Sequence, residues 1–227
     1  MLVDAKPDAV RIGRARSADA GLTNVEWFLG DLADYAEPFD VALATHLCGE
    51  STDVAQAMAI AAGAAFVLTP CCVGKIKHAV NRAMTNRARD AEHPSLAHGV
   101  QYPRSRWLRG RMHDASLYLD LIRLGDHNHQ ASEAGGNYAA SASRRLFDAD
   151  RLAAAAEAGY TTECGKLWPE TASAKNDVLV GWVDTGSIGG RGRVRVHLSR
   201  GPTPCPCLTH LTHPHQACTK YASFLWG

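Results

Sequence analysis

Phe39-Asp-Val-Ala-Leu-Ala-Thr45 leads directly into His46-Leu-Cys-Gly49, and Ala64-Ala-Phe-Val-Leu-Thr69 leads into Pro70-Cys-Cys72. Both runs are apolar almost without interruption over the length of a strand. That pattern predicts strands buried on both faces. Between them, Ser51 and Thr52 suit the cap of a helix over 53–62, and Gly63 suits its stop. Strand, helix and strand joined by short links predict a right-handed crossover and a parallel sheet.

The alternation extends in both directions. Upstream, Met1-Leu-Val-Asp4 reads as the end of a strand, and Pro7 opens a helix over 8–20 that stops at Gly21. Val25-Glu-Trp-Phe-Leu29 is a short strand, turned by Gly30-Asp31. Downstream, 73–102 is polar and basic and fits no element clearly. Helices are expected over 112–124 and 148–158, with a loop over 127–143 around Gly135-Gly136. Strands over 161–168 and 176–182, joined by a short link, predict an antiparallel hairpin at one sheet edge. The division is an α/β domain over 1–185 and a tail of low order over 186–227, where Gly, Pro, Cys and His replace any core pattern.

Composition narrows the function classes. The 227 residues suit one domain with extras, and a formal charge of +1 argues against a general polyanion binder. Lys75, Lys77, Arg82, Arg87, Arg89, Arg104, Arg106, Arg109 and Arg111 nonetheless crowd the segment 75–111, with Trp107 among them. A solvated basic surface is the plain reading of this segment, with RNA contact, favoured by the aromatic among the arginines, as the alternative. No stretch approaches the ~18 apolar residues of a membrane span, and Asp4 and Lys6 break up any leader-like start. The seven cysteines are odd in number, and three of them follow strand-like runs. A reduced, cytoplasmic protein is expected, not a secreted disulfide framework.

The motifs in this order resemble class I S-adenosylmethionine-dependent methyltransferases. Asp4, the segment Leu22-Thr-Asn-Val-Glu-Trp-Phe-Leu-Gly-Asp-Leu32, His46-Leu-Cys-Gly49 with Thr52-Asp53, and Pro70-Cys-Cys72 carry the likeness. More narrowly they look like the methyltransferase domain of the glutathione S-transferase C-terminal-domain-containing family. Tyr102-Pro-Arg-Ser105 and Ala174-Lys-Asn-Asp-Val-Leu-Val-Gly181 belong to the same likeness. A more distant resemblance is to tRNA 2′-O-methyltransferases of the acceptor stem. The resemblance covers residues 2–182 and implies a Rossmann-like sheet. Such domains open with a strand and a glycine-rich loop. Nothing of that kind precedes Asp4, so the expectation is an N-terminally truncated methyltransferase sheet, or a catalytically inactive module of that shape.

The resemblance implies S-adenosylmethionine as cofactor, with its ribose on Asp4 and its adenine near Asp31 and Leu32. His46, Cys48 and Gly49 complete the cofactor edge. His46 and Cys71 are the catalytic candidates, His46 as a base or positioner. Asp4 and Asp31 have equally plain readings as turn aspartates, and Thr52 as a cap. No metal ligands are assigned. Zinc on His46, Cys48, Cys71 and Cys72 stays open as an alternative, as does a cysteine nucleophile at Cys71 or Cys72, against the reading of small buried thiols. The tail's Cys205, Cys207, His210, His213, His215 and Cys218 are a second zinc candidate, against the reading of an unstructured terminus.

Overall fold

The computed structural model describes residues 1–85, 98–126, 138–169, 173 and 175–183, with the side chains of 81–85 left aside. The tail's Cys and His residues, and Arg82, Arg87 and Arg89 of the basic segment, lie outside the described side chains. The described chain is a mixed α/β fold. Strand β1 (Leu2–Asp4), helix α1 (Pro7–Asp19) and strand β2 (Trp27–Leu29) come first. A 3₁₀ turn at Leu32–Asp34 leads to β3 (Val41–Leu47), α2 (Glu50–Ala62) and β4 (Ala65–Pro70). Helices α3 (Ile76–Thr85), α4 (Arg106–Arg109), α5 (Ala115–Asp126) and α6 (Tyr138–Glu157) follow, then β5 (Thr161–Lys166) and β6 (Asp177–Trp182).

Among the described residues two sheets form, not one. β1 and β2 pair parallel by themselves. The second sheet has the order β3-β4-β6-β5, with β3 and β4 parallel and β6 antiparallel to both of its neighbours. The expected hairpin is therefore present, and its second strand is the inner one. Helices α2 and α6 pack on one face of this sheet, where Phe66, Leu68 and Leu179 meet Ala59, Leu152 and Ala155. Tyr160 closes that layer by donating its hydroxyl to the carbonyls of Ala59 and Ala64, each at 3.0 Å. Gly181 is needed opposite Phe66, because a Cβ there would lie 2.3 Å from the ring.

The expectation that β3 is buried on both faces is corrected. Leu43 is 75% exposed, and Thr45 and His46 are exposed as well. β3 is an edge strand, and its outer face borders an open hollow of about 340 Å³ lined by Leu43, Val67, Leu167 and Val178. A continuous apolar run is ambiguous in this respect, since it records burial on one face and composition on the other. The helix start also differs. Gly49, not Ser51 or Thr52, is the N-cap of α2, and Thr52 Oγ1 donates instead to the Leu47 carbonyl at 2.7 Å. The loop expected over 127–143 gives way to helix from Tyr138 onward.

What ties the helical layer to the sheet is a buried ionic network. Asp53 on α2 accepts from Arg151 Nε at 2.8 Å and from the Tyr102 hydroxyl at 2.8 Å. Arg151 also reaches Asp148 at 3.1 Å. Arg144, two turns earlier on α6, donates to Asp177 on β6 at 3.0 Å. Asp53, Arg144 and Arg151 are all at most 1% exposed. Nearby, the buried Asp150 accepts the backbone N–H groups of Arg104 (2.7 Å) and Ser105 (2.8 Å) and the Ser105 hydroxyl. Burial still outweighs these bonds and pushes the Asp150 carboxyl up to about 6.

Two outcomes follow from this network. Arg151→Met removes the shared guanidinium of the buried Asp53 and Asp148 carboxylates and is expected to cost about 3–5 kcal/mol in urea unfolding. The exposed Arg106–Glu157 pair is the control, and Arg106→Ala should cost less than about 1 kcal/mol. Asp150 has its own pH signature. Its folded pKa lies above the unfolded value, so its contribution is complete below about pH 4 and is lost as pH rises through about 6. Unfolding free energies of wild type and Asp150→Asn, compared at pH 4 and pH 7, should shift in favour of the variant at the higher pH. An unchanged difference would refute the assignment.

Candidate functional site: a three-thiol cluster

The carboxyl ends of the parallel strands β3 and β4 bring three cysteines together. Cys48 Sγ lies 3.0 Å from Cys71 Sγ, and Cys71 Sγ lies 3.8 Å from Cys72 Sγ. All three sulfurs are within 4.8 Å of one another. Successive residues of an extended strand point to opposite faces. Cys71 and Cys72 escape that rule because β4 ends at Pro70 and the backbone has already left the pleat.

Local structure fixes the cluster from both sides. The β3–β4 register runs Thr45 opposite Thr69 and then Leu47 opposite Pro70, so His46 is the extra residue of a bulge. Its φ is +57°, a left-handed conformation that costs a non-glycine residue roughly 1–2 kcal/mol. The bulge turns the His46 carbonyl toward the thiols. That carbonyl accepts from Cys71 Sγ at 3.5 Å and from Cys48 Sγ at 3.7 Å. Gly49 follows at φ +60°, and its N–H donates to the Cys72 carbonyl at 3.1 Å. A Cβ on Gly49 would lie 2.6 Å from Lys75 Cβ, so only glycine allows the two loops to close. From below, Arg144 donates to the carbonyls of Pro70 and Cys71, the latter at 3.0 Å.

The thiols are electrostatically unequal. Burial alone would raise the Cys48 thiol, but hydrogen bonds from Cys71 and Cys72 and the charges of Lys75 and Lys175 bring it below the ordinary range. Cys71 is pushed up by burial first, and then by its hydrogen bond to Cys48. Cys72 is also raised, again chiefly by burial. Cys48 is half-buried, so the thiol that ionises most readily is also reachable from solvent.

The remaining candidates are arranged differently. Asp4 Oδ1 accepts the Lys6 N–H at 2.8 Å, and Asp31 Oδ1 caps the 3₁₀ turn by accepting the Ala33 N–H at 2.9 Å. Both sit on or beside the two-stranded sheet, while the thiols belong to the four-stranded one. Leu32 packs against the core near Phe39. The imidazole of His46 is not among the converging ligand atoms, and its carbonyl takes part only as a hydrogen-bond acceptor from the thiols. In the basic segment, the described arginines have partners within the chain, with Arg106 and Arg111 at the exposed surface. Arg104 pairs with the buried Asp53, Arg109 donates to the carbonyls of Pro103 and Arg104, and Arg106 pairs with Glu157. Arg111 stacks over Trp107 at 5.2 Å. What sequence reasoning missed is Arg144. The only signal available was its place in a helix among small residues.

The chain is similar to the glutathione S-transferase C-terminal domain-containing proteins of Xenopus laevis (28% identical over 80% of this chain) and Homo sapiens (26% over 79%). It is also similar to the homolog in Drosophila melanogaster (28% over 73%). In each case the match takes up about a quarter of the relative, 26%, 25% and 26% in turn. No family model matches the chain, and no solved structure does. These findings overturn the methyltransferase reading. The relatives carry a glutathione S-transferase name that gives no methyl transfer, and the methyltransferase domain, its activity and its inactive form are withdrawn. No helix among the described residues is long and apolar enough to cross a membrane.

The bulge makes a prediction about His46. If its backbone is what matters, His46→Gly relieves the left-handed strain and should be neutral or stabilising by up to about 1 kcal/mol. His46→Val, β-branched at positive φ, should be destabilising by about 1–2 kcal/mol. Denaturant midpoints of the two variants test this. Equal losses in both would show that the imidazole itself is needed.

Proposed function

We propose that this chain carries a dithiol site that exchanges with disulfides, with glutathione as its small-molecule partner. The single observation behind this reading is the 3.0 Å approach of Cys48 Sγ to Cys71 Sγ at the strand ends. The relatives' name adds glutathione as the partner class. In a reducing cytoplasm the pair would rest as thiols. A Rossmann-like ancestry of the β3–α2–β4 crossover is supported by the parallel pairing and by the cluster's position at the carboxyl ends.

The reaction balances without a further reactant. The Cys48 thiolate attacks one sulfur of glutathione disulfide, the S–S bond breaks, and one glutathione thiolate leaves and takes up a proton. The mixed disulfide no longer carries the Cys48 charge, so one cause of the elevated Cys71 pKa disappears. Cys71 then gives its proton to solvent and attacks Cys48 Sγ. The second glutathione leaves as thiolate and is protonated. The protein dithiol is oxidised to a disulfide, and one glutathione disulfide is reduced to two glutathione thiols.

Incubation of the reduced chain with glutathione disulfide, followed by intact-mass analysis and disulfide mapping, tests the proposal. The expected product is a Cys48–Cys71 disulfide. Cys71→Ser should stop at a stable Cys48–glutathione adduct, and Cys48→Ser should abolish both products. Adducts spread evenly over all cysteines, or none on Cys48, would overturn the reading.

A further inference from the structure

Disulfide exchange uses two sulfurs and leaves the third unexplained. From the convergence of Cys48, Cys71 and Cys72 we infer a zinc site with three thiolate ligands and one open position. Zinc–thiolate bonds of roughly 2.3 Å at tetrahedral angles place ligand sulfurs about 3.8 Å apart. The Cys71–Cys72 separation already has that value, at 3.8 Å, and Cys48 need only move outward from 3.0 Å. Thiolates favour zinc over the hard cations that carboxylate and carbonyl oxygens hold.

The surroundings suit such a complex. Three thiolates on a divalent ion carry a net charge of −1, and Lys75 and Lys175 already act on Cys48 with positive charge. The ligand loops are held in place before any ion arrives, Cys71 through its carbonyl on Arg144 and Cys72 through its carbonyl on the Gly49 N–H. Hydrogen bonds of this outer kind orient metal ligands and sharpen affinity. His46 supplies only its carbonyl, so the fourth position is left to water or a small thiol. The zinc site goes beyond the exchange reaction, because it requires Cys72 and the exchange does not.

The test uses the full chain, reduced, with Cys205→Ser, Cys207→Ser and Cys218→Ser introduced so that the tail cannot contribute thiolates, and with His210→Ala, His213→Ala and His215→Ala so that it offers no imidazole from that cluster. Cobalt(II) is titrated in as a spectroscopic probe and then displaced with zinc. The expected result is one cobalt per chain with an intense thiolate-to-metal charge-transfer band that zinc abolishes. Cys72→Ser should weaken cobalt binding at least tenfold while its Cys48–Cys71 disulfide still forms with glutathione disulfide. Cys164→Ser should change neither. Far-UV circular dichroism confirms that each variant is folded, and Cys72→Ala serves as a second probe of the same ligand. Absence of the band, or a band in Cys72→Ser and Cys72→Ala as strong as in the parent chain with its Cys72 intact, would overturn the zinc site and leave the exchange reaction standing. Loss of exchange with cobalt binding retained would do the reverse.

Discussion

Two arginines on one face of α6 constrain the rest of the molecule. Arg144 and Arg151 are seven residues apart, two helical turns, and both side chains are inside the protein. A guanidinium cannot leave water without replacing its hydration, so every element that supplies a partner is fixed relative to the helix. Arg151 takes Asp53 and thereby sets α2 against α6. Arg144 takes Asp177 and sets β6, and its other donors go to the carbonyls where β4 ends. Hydrophobic burial brings the helices onto the sheet. The ionic network decides where along the sheet they stop.

The cysteine cluster inherits its order from this network. Cys71 and Cys72 lie in an irregular segment, the kind that usually has freedom to rearrange. Here it has little. Moving the Cys71 carbonyl away leaves an Arg144 donor unpaired in the interior, and moving the Cys72 carbonyl away frees the Gly49 N–H. Arg151 also lies 3.4 Å from the Gly49 carbonyl, so both loops of the cluster are tied to the same helix. A site held by bonds to its backbone can vary its side-chain chemistry without losing its shape.

Much of the sheet was legible in the sequence, because apolar runs of strand length bounded by Gly, Asp and Pro leave few other options. The convergence of His46-Leu-Cys-Gly49 with Pro70-Cys-Cys72 was legible too, since two parallel neighbours must end on the same rim. The ionic network was not. Arg144, Asp148 and Arg151 fall in a stretch of Ala, Ser and Asp that reads as a solvated helix face, and nothing local marks a charge as buried when its partners lie on α2 and β6. In the same way nothing local marks the internal partners of Arg104 and Arg109. Motif resemblance failed in a different way. It placed residues on a rim, but the chemistry ascribed to the rim came with the family name, not with any property of these side chains.

The two chemistries of the cluster exclude each other. A disulfide requires its sulfurs at about 2.05 Å, whereas ligands of one zinc ion stand roughly 3.8 Å apart. At 3.0 Å, Cys48 and Cys71 lie between these limits, and the displacement to either is small. Oxidation of the pair removes two of three thiolates, so a bound ion would have to leave. A bound ion in turn draws electron density from the Cys48 sulfur and makes it a poorer nucleophile. Cys72 therefore decides the behaviour of the site. It adds nothing to the disulfide, but as a third ligand it protects the other two from oxidation for as long as the ion stays.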